Sequence, residues 1–150
     1  MESLTDEQLV KQAIEERAKR ANSEKMRVQS LNTTEIWTDY TVMNHASGKS
    51  YRVALRGWER GESYCSCPDF RKNTLGTCKH IIHVLDKVEK KFNKSVKQTP
   101  FKTKDICVYL RYGRKLEPRA LIPDNIETKI RKILTPVAEK AVMDVKDLLK

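Results

Sequence analysis

The chain has 150 residues, 39% of them hydrophobic and 33% charged, with a formal net charge of +10. That length allows one domain, or one small domain with an appendage. The absence of a membrane-length apolar run, of an internal repeat and of a G-x-x-x-x-G-K-[ST] loop argues against a membrane span, a repeat array and a P-loop nucleotide hydrolase.

The opening MESLTDEQ is acidic and lacks the apolar core of a secretory leader. The expected compartment is therefore reducing: cytoplasmic (nucleoid-associated in a bacterium) or nuclear, and not secreted. A first helix is predicted from Thr5 to about Lys19, opened by a Thr5–Gln8 capping box, with Leu9, Ala13, Ile14 and Ala18 on one side to pack on a sheet. Strands are predicted over Met26–Leu31, Glu35–Ala46 and Ser50–Arg56, the last two joined by a Ser47-Gly48-Lys49 turn, and over Ser63–Cys67. Together they would make a small antiparallel sheet.

Cys65, Cys67, Cys78 and His80 follow, spaced C-x-C-x10-C-x-H. Three of the four cysteines and one of three histidines fall within sixteen positions. Three thiolates and an imidazole are a common tetrahedral set for a closed, structural Zn2+. Residues two apart on a strand share a face, so Cys65 and Cys67 can meet one ion, with Pro68 stopping the strand. Positions two apart on a helix point in nearly opposite directions, so Cys78 and His80 cannot both be ligands from inside a helix. Cys78 should precede a helix, behind a Thr77 cap, with His80 in its first turn and Ile81, Leu85, Val88 and Phe92 as its apolar stripe. His83, one turn on from His80, is the internal rival as ligand; the blander reading makes it a partly buried helix residue. A Cys-x-Cys pair is too close to bridge comfortably, and no H-E-x-x-H or zinc-deaminase pattern is present, so neither a disulfide framework nor a catalytic metal is expected.

Beyond the finger, Asn93–Pro100 reads as a polar basic linker. In a strand over Ile106–Leu110, Ile106, Val108 and Leu110 alternate with Cys107 and Tyr109, which puts Cys107 on the opposite face from the apolar set as a free thiol. Residues 124–150 read as helical, with Asp124 as a cap and Pro136 opening a second helix. The expected class is α+β, divided into residues 1–34, a finger over 35–92, a linker over 93–104 and a C-terminal segment over 105–150.

The run C-S-C-P-D-F…T-C-K-H-I-I-H-V-L, with the hairpin before it, resembles the SWIM-type zinc finger over about residues 35–92. The resemblance implies a zinc-stabilised module that binds DNA or protein, and it supplies no single activity. Val108–Arg114 with Leu121-Ile122-Pro123 is similar to the region after the finger in bacterial Swi/Snf-type helicases. This implies the leading or accessory part of such a machine.

The basic excess is uneven. Arg71, Lys72, Lys79, Lys87, Lys90, Lys91 and Lys94 cluster about the finger helix, whereas the first helix is acid-rich. Such a face suits phosphate, and Arg56, Trp58 and Arg60 interleave an aromatic with charge as a single-strand contact would. Lysine-rich faces are more often merely solvated, and a lone Trp beside a metal site is more often packing. The leading expectation is a non-enzymatic nucleic-acid-binding module, with DNA and a DNA-processing machine as partners. A protein-interaction adaptor is the alternative.

Overall fold

The computed structural model describes residues 4–139, with side chains to residue 136. The fold is α+β. Helix α1 (Asp6–Ser23) opens on the capping box expected, with Gln8 N–H donating to Thr5 and the Gln8 side chain accepting from the Thr5 amide. It runs one turn further than its apolar pattern suggested and packs on helix α3, described below, and not on the sheet.

Strands β1 (Met26–Ser30), β2 (Asp39–Asn44), β3 (Ser50–Ala54) and β4 (Tyr64–Cys65) form an antiparallel sheet in sequential order. The register pairs Val28 with Val42, Val42 with Tyr51 and Val53 with Cys65. The β2–β3 turn uses Gly48 at φ +66°, a conformation that costs glycine nothing. Strand β2 starts four residues later than predicted. Glu35 to Thr38 form an irregular approach that buries Ile36 and Trp37, and the Tyr40 hydroxyl donates to the Ile36 carbonyl at 2.8 Å.

The two-residue β4 is shorter than the predicted Ser63–Cys67. After Cys65 the chain turns into a short helix, α2 (Pro68–Lys72), that the sequence reading missed. Pro68 ends the extended run as expected, but it does so by opening this helix, where its missing N–H leaves no bond unmade. Helix α3 (Lys79–Lys91) follows, with Cys78 and not the predicted Thr77 at the N-cap position, where its side chain makes no capping hydrogen bond. Its buried stripe is His80, Ile81, Val84 and Val88; the predicted Leu85 and Phe92 lie at its margin.

The core lies between the sheet and α3. Val42, Val53, Leu55, Phe70 and Val84 are wholly buried there, and burying each such side chain is worth roughly 1.5–3 kcal/mol. Within the predicted linker, Asn93 caps a helical turn, α4 (Lys94–Lys97), and Val96 and Phe101 pack on the core.

Strand β5 (Cys107–Arg111) pairs with β6 (Glu117–Leu121), which was not foreseen, in a separate two-stranded sheet. The apolar set of β5 faces outwards. Ile106, Val108 and Leu110 are 43%, 59% and 52% exposed, while Tyr109 and Arg111 are half-buried. The Tyr112 ring fixes the inward face, packing against Phe70 with centroids 4.9 Å apart and against Tyr64 at 5.9 Å. Helix α5 (Thr128–Glu139) begins after Asp124, whose carboxylate binds Lys102 instead of capping, and it runs through Pro136 without the predicted break. Proline's φ suits a helix; what it removes is one N–H. The second helix expected beyond it lies mostly outside the described residues.

Candidate metal centre

Each ligand candidate is placed by a different local device. Cys65 stands at the end of β4 opposite Val53. Ser66 prolongs that pairing beyond the strand, its N–H donating to the Arg52 carbonyl while its Oγ accepts from the Arg52 amide, both at 3.0 Å. Cys67 caps α2, and its Sγ accepts the Phe70 N–H at 3.3 Å. The loop back to α3 is held by Asn73, whose side chain donates to the Thr77 carbonyl at 2.8 Å and accepts from the Leu75 amide at 2.9 Å. Gly76, at φ +70°, completes the reversal. Cys78 then sits at the N-terminus of α3 with His80 in its first turn, as the two-residue spacing required.

The result is a buried cluster of Cys65, Cys67, Cys78 and His80 whose ligand atoms all lie within 4.8 Å of one another. His80 presents Nδ1 to two thiols, 3.9 Å from the sulfurs of Cys65 and of Cys78. A tetrahedral zinc with S and N ligands has S···N edges of about 3.5 Å, so a small contraction would seat the ion. The back of the imidazole rests on Tyr51, centroids 4.9 Å apart. These four side chains are 0–4% exposed, so the site is shut to solvent.

Three thiols this close compete for negative charge. Hydrogen bonds from Cys65 and Cys78 hold Cys67 far below the ordinary thiol range, and Cys65 is driven far above it by its hydrogen bonds to Cys67 and Cys78 and by burial. At Cys78 the hydrogen bond to Cys65 pulls downwards, but the one to Cys67 and burial outweigh it and lift the group to about 12. A divalent cation relieves this competition, since all three sulfurs can then be thiolates. Cys67 and Cys78, each at a helix N-terminus, are further helped by the backbone amides there. The residues present therefore fit one metal ion.

His83 turns the other way. Its Nδ1 donates to the Ala21 carbonyl of α1 at 2.9 Å, and it is not among the clustered ligands. Cys107 is exposed and free, also outside the cluster.

The residues read as phosphate contacts divide sharply. Lys79 is ion-paired to Glu24, and Arg56 to Asp39 at 2.7 Å while lying over the Phe101 ring at 4.7 Å. Trp58 packs edge-on to Trp37 with centroids 5.3 Å apart, and its indole N–H donates to the Lys97 carbonyl at 2.9 Å. Arg60 is exposed and makes a long contact, 3.4 Å, to the Leu75 carbonyl. Lys91 donates to the Thr33 carbonyl at 2.9 Å, and Lys90 forms an exposed helical pair with Asp86 at 2.8 Å. Arg71, Lys72, Lys87 and Lys94 are exposed and, among the described residues, bear no ion pair.

Sequence reading missed the charged residues that brace the site. Arg17 clasps both oxygens of Asp69, two residues past Cys67, and Glu24 meets Lys79, which lies between Cys78 and His80. Their partners lie 52 and 55 positions away, which no local pattern reveals. No protein family, curated protein or solved structure matches the chain. No described helix is long and apolar enough to cross a membrane.

Proposed function

We propose that this chain is a non-catalytic, zinc-stabilised module of SWIM type that binds nucleic acid, DNA foremost, and serves a helicase or other DNA-processing machine. The observation that carries the reading is the buried Cys65, Cys67, Cys78 and His80 cluster on a frame of hairpin, strand and helix α3, the order of elements that the SWIM resemblance implies, with the short helix α2 added between strand and α3. Zinc is the metal this donor set suits best: three sulfurs and one imidazole, with no open position for a reacting water. The ion's part is to hold β4, α2 and α3 together.

The cations left to meet phosphate are Arg71, Lys72, Lys87 and Lys94, on α2, α3 and α4, with the exposed Lys90 and Lys91 of α3. Arg56, Lys79 and Trp58 support the structure beneath. Contacts of this kind give affinity without sequence preference, and log K falls with log salt by about 0.9 per duplex phosphate neutralised. The test is binding to single- and double-stranded oligonucleotides over a salt series, repeated with Lys87→Glu/Lys94→Glu. Steep salt dependence and a loss in the double variant support the proposal. Absence of binding at low salt, or binding indifferent to the variant, refutes it.

The adaptor reading keeps one observation in its favour, the exposed apolar residues of β5.

A further inference from the structure

A cleft of about 720 Å³ lies between the finger and the β5–β6 hairpin. Its lining includes Cys107, Val108, Tyr109 and Leu110, four consecutive residues of β5, and at one end Leu121 of β6, the ladder partner of Cys107. Successive side chains on a strand point to opposite faces, so a cavity lined by an unbroken run reaches the strand's edge. The other edge of β5 is taken by β6, and among the described residues no third strand joins that sheet. The cleft therefore runs beside an edge whose backbone N–H and C=O groups have no ladder partner. Natural edges are usually blunted by charge, proline or a covering segment. This one instead exposes Val108 and Leu110 by more than half and carries no lysine or proline over Cys107–Leu110.

Charge decides what kind of strand the edge would take. The cations on the finger side are already engaged: Arg52 and Arg56 with Asp39, and Lys97 with Glu89. The carboxylates have no such counter-ion: Glu59 and Glu62 line the same cleft, both exposed, and neither has an ion pair among the described residues, although Glu62 accepts the Glu59 backbone N–H at 2.9 Å. Arg52 and Arg56 share the single Asp39, so the cleft and its ion-pair partners together carry an excess of one negative charge, in a chain of net charge +10. Its walls are aromatic, with Trp58, Tyr64, Tyr109 and Tyr112 among them. Aromatic faces and carboxylates together attract a lysine or arginine side chain, and they repel a phosphate backbone.

We infer that the free edge of β5 docks an extended, basic peptide segment of a partner protein by strand addition. Its backbone pairs with β5, its apolar residues cover Val108 and Leu110, and a cationic side chain enters the aromatic cleft towards Glu59 and Glu62. Main-chain pairing supplies affinity, and the cleft supplies the preference for positive charge. The cleft shares no residue with the metal cluster or with the lysines of α3, and the inference deepens the adaptor reading while leaving nucleic-acid binding elsewhere on the surface.

The test uses the full chain, labelled with nitrogen-15, and a short synthetic peptide alternating valine and lysine. Amide shifts should gather over residues 106–111 and 57–64. A valine–glutamate peptide should bind at least about tenfold more weakly, and a valine–lysine peptide N-methylated on alternate amides should not bind. Glu59→Lys, on an exposed side chain, should weaken binding at least about fivefold at an unchanged thermal midpoint. Equal binding of the two peptides, shifts confined to other surfaces, or indifference to N-methylation would each overturn the inference. So would self-association of the chain through residues 106–111, or an oligonucleotide occupying the same amides in the peptide's place.

Discussion

The Arg17 guanidinium grips both oxygens of Asp69, at 3.0 and 2.6 Å, and so ties helix α1 to helix α2, which Cys67 opens. A second tie runs from Glu24, at the C-terminal end of α1, to Lys79 beside Cys78. The N-terminal helix thus braces both halves of the metal cluster from outside. Arg17→Met keeps the apolar stem and removes the fork. It should cost about 1 kcal/mol, the pair being partly exposed, and should speed the transfer of metal to a chelator several-fold. Stopped-flow release against a chromogenic chelator measures this; an unchanged rate would show that the brace does not reach the ligands.

The Glu24 tie has a pH signature. Burial disfavours the Glu24 carboxylate, but hydrogen bonds from Lys79 and Arg20 outweigh it and hold the group below its ordinary range. A carboxyl lowered on folding adds stability above the unfolded value, about 4.3, and that stability disappears as pH falls through the folded value. The wild-type advantage over Glu24→Gln should therefore be constant near neutrality and close in acid. Paired denaturant titrations across pH check it. A gap that widens in acid would reverse the sign.

Gly76 joins the metal loop to the C-terminal hairpin. A Cβ there would lie 2.5 Å from the Tyr112 carbonyl oxygen and 2.9 Å from the Gly61 nitrogen, both backbone atoms, on a residue at φ +70°. Neither neighbour can rotate away as a side chain could. Gly76→Ala should cost on the order of 1–3 kcal/mol and loosen the hairpin from Phe70. Thermal melts with hydrogen exchange over residues 107–121 test this; a neutral substitution would contradict the close approach.

The two helix histidines should separate cleanly. His80→Ala removes a ligand candidate and should abolish stoichiometric metal. His83→Ala should retain it and lose only the link to the Ala21 carbonyl. That hydrogen bond is worth about 1 kcal/mol. Elemental analysis of the two purified variants decides it, and metal lost only from His83→Ala would exchange their roles.

What could be read from sequence was local. The Thr5–Gln8 capping box, the Gly48 hairpin and the Cys78–His80 helix start each depend on neighbours a few residues apart, and each is found in the structure. What stayed hidden was set at a distance. Helix α2 is five residues long and exists because Cys67 caps it and Phe70 anchors it in the core. Strand β6, with Pro118 among charged residues, owes its conformation to pairing with β5. Alternation along β5 correctly separated Ile106, Val108 and Leu110 from Tyr109. It could not say which set faces inwards, because Tyr112 and Arg111 fix the hairpin against the finger. The four clustered residues were legible because their donor chemistry is rare and their spacing short. The Arg17 and Glu24 braces were not, because ordinary surface charges look the same whether or not they are paired.

The central claim is that one divalent ion closes on Cys65, Cys67, Cys78 and His80 and thereby supports the fold. Structural zinc contributes on the order of 10 kcal/mol of apparent binding energy at neutral pH, comparable with the whole stability of a domain this size. The most direct measurement is far-ultraviolet circular dichroism of the purified protein, of known zinc content, before and after chelation. The account predicts one zinc per chain and a large, zinc-reversible loss of structure when it is removed. Protein that carries no stoichiometric metal and gives the same spectrum with and without chelator would contradict it.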